Sequence, residues 1–288
     1  MSKIAGSGCE TRESAAVMAA LPEIERSIIK KYRKPVWSKF IKAIKDFHLI
    51  ADGDKIAVAV SGGKDSTLMA KLFQELHCHG IRNFELEFIA MDPGYHKDIR
   101  QLLINNCRQL NIPIHLFESD IFKVVDKMAQ DYPCYMCAKM RRGVLYAKAQ
   151  ELGCNKLALG HHFNDVIETT LLNMFYAGCF KTMLPKLKAQ NFSNLELIRP
   201  LYYVEEKFIE KFIHESGIMP LNCACMVAAE KTGNKRYEIK TLIQELKKKI
   251  KNVDKLIMKA GQNVHLECIL GWQKDGQEYS YLDYYDQE

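Results

Sequence analysis

KIAVAVSGGKDSTLMAKLFQELHCHG, residues 55–80, reads as strand, glycine loop and helix in immediate succession. KIAVAV (55–60) is β-branched and alanine-rich and stops short of helical length, as a fully buried strand does. SGGKDS (61–66) breaks it with two glycines, and TLMAKLFQELHCHG then carries its apolar residues at helical spacing. The same alternation continues outward. FELEFIA (84–90) is a strand, HKDIRQLLINNCRQLN (96–111) a helix, IPIHLFE (112–118) a strand and IFKVVDKMAQ (121–130) a helix. MRRGVLYAKAQELG (140–153), KLALG (156–160), DVIETTLLNMFYAG (165–178) and ELIRPL (196–201) add helix, strand, helix and strand. Strands alternating with helices predict an α/β fold, a parallel sheet covered by helices on both faces, with ligands bound beyond the carboxyl ends of the strands.

SGGKDS lies at such an end. Two glycines let backbone N–H groups approach an anion, and the helix that follows adds its positive N-terminal dipole. The spacing is not the G-x-x-x-x-G-K-[ST] of kinases and GTPases. A Gly-Gly pair can serve a tight turn alone, but Ser61, Lys64 and Ser66 gather hydroxyls and a cation there, and Asp65 is placed to hold magnesium. On these residues the chain resembles the PP-loop ATP pyrophosphatases, whose SGGxDS signature it matches at Ser61, Gly62, Gly63, Asp65 and Ser66. The resemblance implies a Rossmann-like, adenine nucleotide alpha hydrolase-like sheet domain. It also implies a loop that grips the pyrophosphate end of ATP while a substrate oxygen attacks the α-phosphate, leaving an adenylate and free pyrophosphate. An amide-like carbonyl oxygen is a poor leaving group, and linking it to AMP makes it a good one.

ALGHHFNDVIETTLLN (158–173) resembles a second stretch of that superfamily, with His161 and Asp165 at matching positions and Asn164 where the first aspartate is expected. Asp165 is expected at magnesium or ATP and His161 at the nucleotide pocket; the alternative is that these residues cap the helix. His162 is open between the two roles. Asp92 could meet the ribose or adenine, or order the turn at Pro93-Gly94.

The chain holds ten cysteines. Cys9, Cys78, Cys107, Cys154, Cys179 and Cys268 stand alone and read as core or surface thiols. PCYMCAKMRRG (133–143) differs, because Cys134 and Cys137 sit at chelating spacing, in what reads as a loop before a basic helix start. Zinc ligation, a redox dithiol and an iron-sulfur cluster all fit that spacing, with Cys223 and Cys225 of NCAC available as further ligands. Taken together, DGDKIAVAVSGGKDS, CYMCAKMRRGVLYAKAQELG, KLALGHHFNDVIETTLLNMFYAG, PKL and IRPLYYVEEKFIEKF resemble the tRNA 2-thiocytidine synthetases from about Val36 to Ile250. That resemblance implies a 4Fe-4S cluster held by Cys134, Cys137 and one later cysteine, with an iron left open for sulfide. It also implies an ATP-dependent sulfurtransferase that adenylates C2 of a cytidine in the tRNA anticodon loop and replaces its oxygen by sulfur. PLNCAC (220–225) departs from the family pattern, with Leu221 where a cysteine is expected. Cys225 is assigned as third ligand because a one-residue shift aligns it, and Cys223 is the alternative.

The 288 residues carry a net charge of +6, which permits a polyanionic partner without demanding one. Arg141 and Arg142 are candidate tRNA contacts; Lys30, Lys31, Arg33, Lys34 and Lys247, Lys248, Lys249, Lys251 are equally readable as solvated helix faces. No apolar run of about 18 residues exists to span a bilayer, and the first residues lack a secretory signal, so a cytoplasmic enzyme without membrane attachment is expected. The organisation expected is an N-terminal extension (1–34), a PP-loop domain (35–217), a helical segment with the third cysteine (218–270) and an acidic aromatic tail (271–288). A sulfur donor such as a cysteine desulfurase is required, and a homodimer is open. Competing readings are a thiolase acting on a tRNA uridine, a non-catalytic nucleotide or sulfide carrier, and a redox sensor at Cys134 and Cys137.

Overall fold

The computed structural model describes residues 18–80, 83–119, 133–221 and 235–285, with side chains from residue 140 onward in the helix that opens at Pro133. The chain enters through α1 (Leu21–Ile29), a wide turn of π type at Arg33–Trp37 where Pro35 has no N–H to give, and α2 (Ser38–Asp46). The alternation then runs β1 (Lys55–Ala59), α3 (Lys64–His79), β2 (Glu85–Asp92), α4 (Lys97–Gln109), β3 (Ile114–Glu118), α5 (Pro133–Glu151), β4 (Lys156–Ala158) and α6 (Phe163–Tyr176). After it come β5 (Lys186–Lys188), β6 (Glu196–Ile198), α7 (Glu206–Glu215), α8 (Lys235–Lys249), α9 (Val253–Ala260), β7 (Gly271–Lys274), β8 (Gln277–Ser280) and α10 (Leu282–Tyr285).

The main sheet has the order β3-β2-β1-β4-β6-β5. Its strands are parallel except β5, which pairs antiparallel with β6 from Lys186 opposite Ile198 to Lys188 opposite Glu196. The antiparallel edge is a departure from the all-parallel reading. Asn191 and Asn194 supply the positive φ values of the turn, 64° and 61°, and the lysines at 186 and 188 mark it as a charged edge strand. Ala57, Ile89, Leu157 and Leu197 form one core layer with Ala149 and Cys154.

Two further expectations change, and one open segment gains a structure. Cys134 and Cys137 lie inside α5 and not in a loop before it: Pro133 is well suited to a first helical position, and CYMCAKMRR contains no breaker. The C-terminal stretch KRYEIKTLIQELKKKIKNVDKLIMKAG (235–261), readable as one lysine-rich helix, forms two, separated at Asn252, which adopts φ 59°. The aromatic tail, whose structure the sequence leaves open, forms the β7–β8 hairpin and α10, with Trp272 stacked on Tyr279 and Tyr284. The helix read at 121–130 lies outside the described residues.

Two units are distinguishable, Met1–Val166 with Met183–Asn234, and Ile167–Thr182 with Lys235–Glu288. Within the first, the N-terminal segment is built into the core. Ile24, Ile28, Tyr32 and Val36 are buried, Tyr32 meets Phe212 edge-on at 5.4 Å, and Phe40 meets Phe73 at 5.6 Å. Lys71 of α3 is fully buried, yet its ammonium reaches Glu25 of α1 and Gln74 at 2.7 Å and the Leu110 carbonyl at 3.1 Å. A buried cation is tolerable only when so satisfied. Within the second, Arg236 pairs with Glu168 at 3.3 Å, and Lys235 lies 4.9 Å from the centre of the Tyr176 ring.

Candidate functional site

The order of strands reverses between β1 and β4, and the crevice at such a switch point is where α/β sheets bind ligands. Ser61–Ser66 leaves β1 there. Gly62 takes φ +79°, a conformation other residues resist, and Gly63 leads into α3. The hydroxyls knit the loop. Ser61 and Ser66 Oγ atoms stand 3.0 Å apart, Ser66 Oγ accepts the Ser61 N–H at 3.2 Å, and it lies 3.1 Å from the Gly63 carbonyl. No side chain caps α3, so the N–H groups of its first turn face the crevice end of the sheet as an anion cradle. The β4 end closes on the same loop. A Cβ at Gly160 would stand 3.2 Å from Ser66 N and 3.3 Å from Asp65 C, so the two backbones touch.

Around this contact the charged residues converge. Lys64 Nζ lies 2.9 Å and 3.1 Å from the two Asp65 oxygens and 3.1 Å from Glu206 Oε1. Burial works against the Lys64 ammonium, but Asp65 and Glu206 together hold its pKa above the ordinary lysine value. It is a fixed cation at neutral pH. His162 is buried, with Nε2 3.6 Å from Asp65 Oδ1 and 4.0 Å from Glu206 Oε1. Its N–H donates to Asp165 Oδ2 at 3.0 Å while its Nδ1 accepts the Asp165 N–H at 3.4 Å, a reciprocal cap on α6. That acceptor role puts the proton of the neutral ring on Nε2, facing Asp65.

Of the residues singled out from sequence, Ser61, Gly62, Gly63, Lys64, Asp65, Ser66 and Asp165 are thus gathered at one strand-end junction, and half-buried His161 sits in the turn between Gly160 and His162. Asn164, where an aspartate was expected, accepts the Glu206 N–H at 3.0 Å and so joins α6 to α7. Asp92 is otherwise engaged: Oδ1 accepts the N–H groups of Gly94 at 2.9 Å and Tyr95 at 2.7 Å, and Oδ2 pairs with Arg100 at 3.1 Å. Those bonds order the β2–α4 turn. Cys134 and Cys137 stand three residues apart in the first turn of α5, with Arg141 and Arg142 one turn further on. Cys223 and Cys225 lie outside the described residues. Leu221, just before them, donates its N–H to the Gly62 carbonyl at 2.9 Å and lays its side chain against Gly62. Among the described residues no three His, Cys, Asp or Glu side chains form a metal-holding group.

Glu206 escaped the sequence reading, and Leu221 reads there only as a departure from the family's cysteine pattern. A carboxylate opening EKFIEKF looks like an ordinary first-turn acidic residue, and only the fold brings it to Lys64.

Residues 33–220 match the family described as PP-loop domain. The tRNA-cytidine(32) 2-sulfurtransferase of Pelobacter propionicus is 39% identical over 240 residues, 82% of this chain and 87% of the relative. That of Bdellovibrio bacteriovorus is 36% identical over 251 residues, covering 86% and 93%. Among solved structures, the U34-tRNA thiolase NcsA from Methanococcus maripaludis with its 4Fe-4S cluster superposes with a TM-score of 0.63 at 20% identity, covering 91% of this chain and 90% of that one, a likeness of fold. By sequence, the chain belongs to the PP-loop domain family and, within it, to the family of tRNA-cytidine(32) 2-sulfurtransferases.

Proposed function

We propose that this chain is an ATP-dependent tRNA sulfurtransferase that adenylates the C2 oxygen of a cytidine in the anticodon loop and replaces that oxygen by sulfur. The observation that carries the reading is the uncapped α3 N-terminus at the switch point, with the fixed Lys64 cation and the Asp65, Asp165 and Glu206 carboxylates around it. The first-turn N–H groups and Lys64 hold the β- and γ-phosphates. The C2 oxygen bonds to the α-phosphorus, the bond to the β-phosphate oxygen breaks, and pyrophosphate leaves with its charge met by Lys64. Glu206 keeps Lys64 aimed at the loop, and His162 fixes the orientation of Asp65 and Asp165. Asp92 and His161 border the region assigned to the adenosine end.

Magnesium is ordinarily held by one or two carboxylates together with substrate phosphates, which Asp65 and Asp165 can supply without a closed protein cage. The donor set of Cys134 and Cys137 in one helical turn, completed by Cys225 or alternatively Cys223, suits a 4Fe-4S cluster, which would supply an open coordination position for sulfide. Sulfide then adds at C2, and the C2–O bond breaks with AMP as leaving group. Leu221, the last described residue before Cys223 and Cys225 in the sequence, lies on Gly62 of the loop. Arg141 and Arg142 are assigned to tRNA phosphates. The sulfide comes from a donor of the cysteine desulfurase class. No helix among the described residues is long and apolar enough to cross a membrane, and we place the enzyme in the cytoplasm. A homodimer is compatible with the reading and is not required by it.

The test is iron, sulfide and zinc analysis of anaerobically purified protein, with nucleoside analysis of treated tRNA. About four irons and matching sulfide per chain, with 2-thiocytidine formed, is the expected result. Asp65→Ala should abolish pyrophosphate release, and Cys134→Ala should keep it while ending thiolation. One zinc and no iron, or a thiolated uridine as product, would overturn the assignment.

A further inference from the structure

Arg199 follows β6 directly, on the rim of the sheet that carries the glycine loop. Ala158 is the register partner of Ile198, and the Leu159 N–H donates to the Ile198 carbonyl at 3.0 Å, so Arg199 stands beside the Leu159–Gly160 end of β4. Only 9% of the residue is exposed. Nη1 donates to the Leu184 carbonyl, while Nε is buried with no hydrogen-bond partner. Among the described residues no carboxylate forms an ion pair with the guanidinium. Burial pulls its pKa below the ordinary arginine value; Tyr146, Tyr202 and Asp165 oppose that pull, and Arg142 of α5 adds to it by repulsion. An unpaired buried charge beside a second cation is costly to maintain.

A purely structural role does not account for the arrangement. The Arg199 N–H holds the Pro185 carbonyl at 2.9 Å and the Tyr202 hydroxyl holds that of Met183 at 3.0 Å, so the 183–185 segment is already tied down. One more bond to Leu184 needs a donor and not a charge. What needs the charge and the unpartnered Nε is an oxyanion, which a guanidinium edge grips with two parallel N–H groups.

We propose that Arg199, with Arg142 beside it, forms a seat for a phosphate group on the carboxyl rim of the sheet. The phosphate belongs either to the bound nucleotide or to the RNA backbone next to the target base, and that choice rests on the sulfurtransferase reading. The test uses the full chain with Arg199→Met and Arg199→Lys, measuring ATP affinity and tRNA affinity across a salt series. An RNA seat predicts that Arg199→Met weakens tRNA binding about tenfold, lowers the salt slope by about one and leaves ATP affinity unchanged. A nucleotide seat predicts about tenfold weaker ATP with the salt slope unchanged. In either case Arg199→Lys keeps most of the lost affinity, and Arg199→Met melts no lower than wild type, because an unpaired buried charge has gone. Both affinities within twofold of wild type in Arg199→Met, or a lowered Tm with both affinities falling alike in the two variants, would overturn the seat. Wild type that binds ATP and tRNA but makes no 2-thiocytidine would refute the functional reading and leave the seat standing.

Discussion

Alanine at position 160 tests how tightly the two strand ends are pressed together. Its methyl would sit 3.2 Å from Ser66 N, 3.3 Å from Asp65 C and 3.4 Å from Ser66 Cα, where ordinary contact begins at 3.4 Å. About 0.2 Å or more must therefore be found. All three atoms are backbone in the first turn of α3, so no side chain can rotate out of the way and the turn proposed to hold phosphate must itself move. Overpacking of this kind costs ~1–3 kcal/mol, which for a chain of this size lowers Tm by about 2–10 °C. A misplacement of ~1 Å can cost about a hundredfold in rate, so a shift of a few tenths should slow the reaction about 3- to 10-fold. The assay is pyrophosphate release at saturating tRNA, read beside thermal melting. Gly143→Ala is the control: a methyl there meets nothing within 4 Å in the interior of α5, and the change should stabilise by about 0.5–1 kcal/mol. Wild-type melting and wild-type pyrophosphate release in Gly160→Ala would refute the argument that β4 positions the loop.

Lys71→Ala strands the Leu110 carbonyl and Gln74 and should cost about 2–3 kcal/mol, less than a fully buried pair because Glu25 reaches solvent. Denaturant unfolding gives the magnitude, and unchanged hydrogen exchange over residues 21–29 would show that this ion pair is not what holds α1. The hydrogen bond from Lys31, then that from Tyr32, holds the Glu215 carboxyl below its ordinary value. A depressed carboxyl pKa contributes stability that is present above the unfolded value of about 4.3 and is lost as pH falls through the lower folded value. Glu215→Gln should therefore flatten the acid limb of the stability curve below about pH 4; a parallel pair of curves would count against it. Burial pushes the Cys107 thiol up to about 12 and the Cys154 thiol up to about 11. An alkylating reagent at pH 8 should then label exposed Cys78, Cys179 and Cys268 in the native protein, and label of Cys107 before unfolding would contradict their burial.

Legibility in the sequence followed the range of the interactions involved. The β1–loop–α3 unit could be read because a buried strand, a positive-φ glycine and a helix start each depend on neighbours a few residues away. The antiparallel edge could not, since KLK at 186–188 carries too little pattern to announce a direction. The start of α5 was misplaced because chelating spacing looks alike in a loop and in a helical turn, and Pro133 tips the balance. Asp92 shows the same ambiguity: a carboxylate after a strand can meet a ligand or tie a turn, and its three bonds to Gly94, Tyr95 and Arg100 became visible only in the fold.

The amino-acid sequence by itself determined the alternation of β1 to β4 and β6 with α3 to α6, the glycine loop with Ser61, Lys64, Asp65 and Ser66, and the spacing of Cys134 and Cys137, all set by local backbone geometry. Tertiary structure alone decided that Glu206 shares Lys64 with Asp65, that Gly160 presses on the loop, and that buried Arg199 keeps its Nε without a hydrogen-bond partner among the described residues. The reason is physical: local sequence shapes a turn, whereas the energy of a buried charge depends on whatever distant segments are folded against it.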